Sequence, residues 1–208
     1  PKMVKLGRFT AYMTNMARHK EFNREEVLVK AMETFWRYGY EGTSIQDLIQ
    51  SMGINRGSLY DTFGDKRSLF LEAIAHYDDT IVRCAIARLQ APNASKQAII
   101  DHFQSFVKGI IADREHRGCL MTNTAVELCP HDADTAKRVT LNLQRIEQAF
   151  YTALSRAQEK GEISPDKNLK ALARYFTSNL HGLQVMSKID PDPQALQDTV
   201  PILLSVLD

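Results

Sequence analysis

Apolar residues recur along this chain at spacings of three and four, and nowhere alternate as they would in a half-buried strand. Val27, Leu28, Ala31, Met32, Phe35 and Trp36 form the first such stripe. Asn23 is placed to cap its start and Gly39 to end it. Ile45, Leu48, Ile49 and Met52 make a short second stripe, where Thr43 followed by Gln46 reads as a capping box and Gly53 as the stop. Asn55 then opens a third helix that Gly64 closes. Asp65 caps a long fourth helix carrying Leu69, Phe70, Ala73, Ile74, Tyr77, Ile81, Ala85 and Leu89. Beyond Pro92 the pattern predicts helices near 95–113, 119–129, 132–160, 166–188 and 193–207, punctuated by Gly118, Pro130, Gly161, Pro165, Pro191 and Pro193. The expected fold class is all-α.

The third helix departs from the rest. In "GINRGSLYDTF", Gly53 to Phe63, Leu59 and Phe63 are the only strongly apolar residues after Ile54, and the others make hydrogen bonds. A helix, a short turn with glycine and a second helix form the helix-turn-helix pattern. Its second helix enters the major groove with its N-terminal residues at the base edges. Leu59 and Phe63 would pin this helix to the first two. Arg56 would fork onto guanine, while Ser58 and Thr62 would give or accept hydrogen bonds. Gly57 lets the backbone approach DNA, and Tyr60 stands at phosphate height.

Charge supports a polyanionic partner. The net charge is only +1, but five of the 26 basic residues (Lys2, Lys5, Arg8, Arg18 and Lys20) lie in residues 1–20 with no acid among them. That leaves 21 basic against 25 acidic residues, a body of −4 behind a basic arm. Met16 starts a stretch that looks like a natural N-terminus, so residues 1–15 read as an upstream extension. No apolar run is long enough to span a membrane, and three cysteines in a chain of 208 residues favour reduced thiols in a cytoplasm.

"NREEVLVKAMETFWRYGYEGTSIQDLIQSMGINRGSLYDTFGDKRSLFLEAI" resembles the DNA-binding domain of TetR/AcrR-type transcriptional regulators. The elements that carry the likeness are F-x-x-x-G-Y-x-x-T-S from Phe35, M-G-I-N-R-G-S-L-Y from Met52 and F-x-x-K-x-x-L from Phe63. The resemblance implies a repressor that is a homodimer, binds a double-stranded palindromic operator and is released by a small-molecule inducer. It implies phosphate contacts from Thr43, Tyr60 and Lys66, with Ser44 and Asn55 beside them, and base reading around Arg56, Gly57, Ser58 and Thr62. Asp61 departs from the family pattern; it either accepts from cytosine N4 or pairs with Arg56. The expected organisation is a basic arm (1–22), a DNA-binding domain (23–68) and a ligand-binding and dimerisation domain (69–208).

The C-terminal part carries two further apolar stripes: Leu169, Leu172, Ala173, Phe176 and Leu180, then Leu196, Val200, Leu203 and Leu207. The family implies a four-helix seam with a second copy from the last two helices, and the alternative is the chain's own core. The expected cavity draws on Phe103, Phe106, Val107, Cys119, Met121, Ile146, Phe150 and Phe176. "HRGCLMTNTAVELCPHD" resembles the "GCL" segment of a family branch in which some members sense electrophiles or oxidants. Cys119 opens a helix, where a thiol pKa falls; Cys129 stands roughly 80° away around the axis, which argues against a disulfide. The thiol is otherwise a small apolar packing residue. His116, Cys119, Cys129 and His131 have soft-metal ligand types without a standard spacing, so no metal and no cofactor are expected. No hydrolase, metalloprotease, P-loop or dinucleotide motif is present, and a thiol enzyme built on Cys119 and His116 is the competing class.

Overall fold

A computed structural model describes residues 22–189 and 192–208, all helical apart from turns and connections. The basic arm, with Lys2, Lys5, Arg8, Arg18 and Lys20, lies outside the described residues.

Helix α1, Arg24–Tyr38, starts where the Asn23 side chain accepts from the amides of Glu25 and Glu26, and stops at Gly39 with φ 77°. Helix α2, Ile45–Met52, is capped one residue later than the sequence reading placed it. Ser44 accepts from the Asp47 amide and the Asp47 carboxylate returns a bond to Ser44. Either hydroxyl suits the motif, but Thr43 is fully buried and donates to the Gly39 carbonyl at 2.6 Å. Helix α3, Arg56–Phe63, is capped by Asn55, and helix α4, Lys66–Tyr77, by Asp65.

The fourth helix was expected to run unbroken to Leu89. Instead Asp78–Val82 form a π-helical stretch before α5, Arg83–Gln90. Backbone dihedrals are helical on both flanks of it, at Tyr77 and Arg83, so the path continues with a shifted register. Its first residue is pinned from α8, where Asn142 and Arg145 both donate to the Asp78 carboxylate.

Helices α6 (Lys96–Ala112), α7 (Leu120–Glu127), α8 (Ala133–Glu159), α9 (Leu169–Met186) and α10 (Pro193–Leu204, ending in a 3₁₀ turn) follow the predicted spans closely. Phe103, Phe150 and Phe176 stack at their centre with ring centroids 5.5–5.7 Å apart. One apolar cluster joins them to Phe35, Leu59 and Phe70 of the first four helices.

The stripes expected to form a seam with a second copy turn inward. Ala173, Phe176, Leu180, Leu196, Val200, Leu203 and Leu207 are buried within their own chain, and Leu169 and Leu172 pack against the same core. The apolar side chains left outside are Val185 and Met186 on α9 and Ile202 on α10, at 45%, 59% and 72% exposure.

Candidate DNA-binding face and ligand cavity

Helix α3 divides its residues by face. Leu59 and Phe63 are buried against the preceding helices, as the spacing requires. Ser58 is also little exposed, at 7%, and its amide is taken by the Asn55 cap. The phosphate role expected of the Thr43 hydroxyl is corrected, because that hydroxyl is already bonded inside the fold. Arg56, Gly57, Tyr60 and Asp61 are exposed and Thr62 is half-buried. The Arg56 guanidinium lies over the Tyr60 ring, 5.9 Å from its centroid, one helical turn away. Ser44 is exposed at the start of α2.

Lys66 opens α4 and its ammonium sits 4.3 Å from the centroid of Tyr40. The sequence reading missed Tyr40, which also packs on Phe70 and holds this cation at the face. The pairing is a cation–π contact that limits where the lysine can reach.

Four connections tie the DNA-binding region to the remainder. The Trp36 indole donates to the Gly118 carbonyl at 3.1 Å. The Glu127 carboxylate at the end of α7 accepts from the amides of Tyr40 and Glu41 at 3.0 and 2.7 Å. Arg67 reaches Asp132 through both Nε and Nη2, and Arg37 pairs with Glu115. The ion pairs are exposed and individually weak. The Glu127 contact is stronger because a charged acceptor meets two amides whose helix has already ended.

Above Trp36 lies a cavity of about 290 Å³. Its walls come from α1 (Trp36), α4 (Tyr77), the π-helical stretch (Ile81, Val82), α6 (Phe106, Ile110) and the loop ending at Cys119. Ile146 of α8 and Leu180 and Gln184 of α9 complete it. Of the expected lining residues, Phe106, Cys119 and Ile146 are present. Phe103, Val107, Phe150 and Phe176 are not; they fill the neighbouring core, and Met121 faces shallow depressions elsewhere on the surface. Gly118 must be glycine here: its φ is 66°, and a Cβ would stand 3.1 Å from the Gln184 carbonyl.

Three groups in and beside this wall have displaced pKa values. Burial pushes the Tyr77 phenol well up, with Cys119 beside it adding to the effect. Burial lowers His102 to about 4 against the opposing contact from Ala85. Burial also lowers His181, which bonds Gln184 behind the cavity. All three cysteines are free thiols, and among the described residues no three His, Cys, Asp or Glu side chains gather as a metal site.

Two family profiles account for this architecture. Residues 27–73 match "Bacterial regulatory proteins, tetR family", and residues 95–203 match "Tetracyclin repressor-like, C-terminal domain". The chain belongs to the TetR family of transcriptional regulators. The HTH-type transcriptional regulator YezE of Bacillus subtilis is 42% identical over 194 residues, covering 93% of this chain and all of the relative. The HTH-type transcriptional repressor ComR of Escherichia coli is 29% identical over 172 residues, 82% of each chain. A cysteine mutant of the TetR family regulator CifR, solved in complex with 26-base-pair double-strand operator DNA, superposes with a TM-score of 0.82 at 27% identity, over 92% of this chain and all of that one.

Proposed function

We propose that the protein is a cytoplasmic homodimeric repressor that binds a palindromic operator through α2 and α3 and leaves it when a small-molecule inducer enters the cavity. The observation that carries this reading is the place of Trp36. It belongs to the first helix of the DNA-binding region, yet it forms part of the cavity wall. A molecule in the cavity therefore touches the DNA-binding region directly.

Arg56 and Tyr60, exposed, and the half-buried Lys66 supply the contacts expected at a groove, with Ser44, Asn55, Gly57 and Thr62 around them. Two-fold symmetry supplies the second half-site. Val185 and Met186 on α9 suit the partner copy, and Gly182 between them and Ser178 has open space where a Cβ would be. Among the described residues no helix is long and apolar enough to cross a membrane.

The test begins by selecting DNA from a random pool with the full chain and measuring the mass of the resulting complex by light scattering. A palindrome bearing two chains is expected. An unselective protein, or one chain per site, would sink the reading.

A second reading is favoured by Cys119, which stands in the cavity wall. In it, an electrophile adds to the Cys119 thiolate and forces the same release. Cys119→Ala separates the two: it would abolish release by N-ethylmaleimide while leaving release by a non-reactive inducer intact.

A further inference from the structure

His102 is the polar residue of the cavity wall whose hydrogen bonding is incomplete. It lies on α6, 7% exposed, with its ring edge-on to Phe103 and Phe150 at 5.8 and 5.4 Å. Its Nδ1 stands 3.2 Å from the Ala85 carbonyl oxygen. A carbonyl only accepts, so Nδ1 carries the proton and donates. Nε2 is then a bare lone pair, and among the described residues it has no partner. Burial keeps the ring neutral at ordinary pH, with its pKa at about 4.

A buried acceptor without a donor is costly, and native folds rarely leave one without a reason. The surrounding aromatic rings offer no donor. Nε2 also has almost no accessible surface. The cavity that His102 lines is the route by which a partner can reach it, on a molecule able to part the apolar side chains around it.

Charge narrows the class further. The carboxylate of Asp113 and the guanidinium of Arg117 in the wall are paired with each other at 3.3 Å, and the guanidinium also covers the Trp36 ring. Gln184 is engaged with Thr122, and Ser187 with the Gln184 carbonyl. The walls are otherwise mainly aliphatic and aromatic. The volume of about 290 Å³ equals roughly ten waters of liquid.

We propose that the cavity selects a neutral, mainly apolar molecule of fused-ring aromatic size that carries one hydroxyl or N–H donor, and that the donor is received by Nε2 of His102. The inference rests on the inducer reading above, and the two fail separately.

The probes are 2-naphthol and its methyl ether, 2-methoxynaphthalene, which share a ring system and differ in the donor. Calorimetry with the full chain should show naphthol binding at least about tenfold tighter, because a site built to receive a donor rejects the analogue that lacks it. In His102→Leu the preference should vanish while both probes still bind. In the unaltered protein, the Nε2 resonance of His102 should move on adding naphthol and stay on adding the ether. That measurement decides the matter alone if His102→Leu does not fold. Equal affinities in the parent, a preference that survives His102→Leu, an unmoved Nε2 resonance, or no binding of either probe would overturn the proposal. Naphthol bound with a His102-dependent preference, but leaving the selected operator in place, would instead refute the inducer reading and leave this site standing.

Discussion

The indole of Trp36 and the carbonyl of Gly118 share a hydrogen bond of 3.1 Å, which fastens the first helix of the DNA-binding region to the loop that leads to Cys119. The same ring meets Tyr77 edge-on at 5.0 Å and lies under the Arg117 guanidinium at 4.1 Å. All three of these contacts are with residues that also wall the cavity.

Trp36→Phe keeps an aromatic ring in the wall and removes only the donor. The Gly118 carbonyl then loses a partner, and stability should fall by about 1 kcal/mol. The functional outcome is more telling. Operator affinity should remain near the parent value, while inducer added to the DNA complex should release it less completely. Fluorescence anisotropy of labelled operator reads both, and unchanged release would take this bond out of the signalling route.

On the DNA face the structure sorts residues that the sequence groups together. Arg56→Ala should cost about 1–3 kcal/mol of operator binding and relax the preference at one base pair. Lys66→Ala should weaken binding to all sequences and flatten the salt dependence. Ser58→Ala should leave base preference intact, because only 7% of this residue is exposed on α3. Selection from a random DNA pool with each variant checks all three. Altered preference in Ser58→Ala would return that residue to the interface.

Much of this was legible before any coordinates, and the reasons differ by feature. Asn23, Asn55 and Asp65 were read as caps because capping depends on residues three positions apart. Ser44 took the place assigned to Thr43 because adjacent hydroxyls satisfy one motif, and only tertiary packing decides which of the two side chains is buried. Periodicity marks the helices, but Phe103, Phe150 and Phe176, expected in the cavity wall, fill the core instead. It could not mark where the packing falls short. A cavity depends on what several helices bring together, so Trp36, His102 and Gln184 became visible as neighbours only in the fold. The two C-terminal stripes had two readings, and the core took them both.

His102 also sets a pH dependence. Its folded pKa of about 4 lies below the ordinary 6.5, so the unfolded chain binds the proton first. Its neutral form therefore contributes stability that is fully present above pH 6.5 and is lost as pH falls towards 4, by about 3 kcal/mol at most. His181 is shifted the same way and adds to the slope. Urea melts of the parent and of His102→Leu between pH 7 and 4.5 isolate the first contribution. The variant should be flatter over that window, and parallel curves would place the acid sensitivity elsewhere.

The last prediction concerns the π-helical stretch. Its Asp78 is held by Asn142 and Arg145 of α8, and its Ile81 and Val82 face the cavity. A molecule pressing on Ile81 and Val82 acts on a segment whose start is fixed, so displacement passes along α4 towards Lys66 and α3. Operator half-sites one helical turn apart require recognition helices spaced about 34 Å, and a shift of a few ångströms breaks that register. The ligand must favour the shifted arrangement, since equal affinity for both moves nothing. Inducer should then bind the operator complex about 5- to 150-fold more weakly than the free protein, and operator should bind the inducer complex more weakly by the same factor. Asp78→Asn keeps the shape and an acceptor for Asn142 but removes the charge that holds Arg145, so the pinned end loosens. Calorimetry of the inducer with and without operator should show this factor falling towards one in Asp78→Asn. A factor equal to the parent's would mean that the signal bypasses the π-helical stretch, leaving Trp36 and Gly118 as the connection to test.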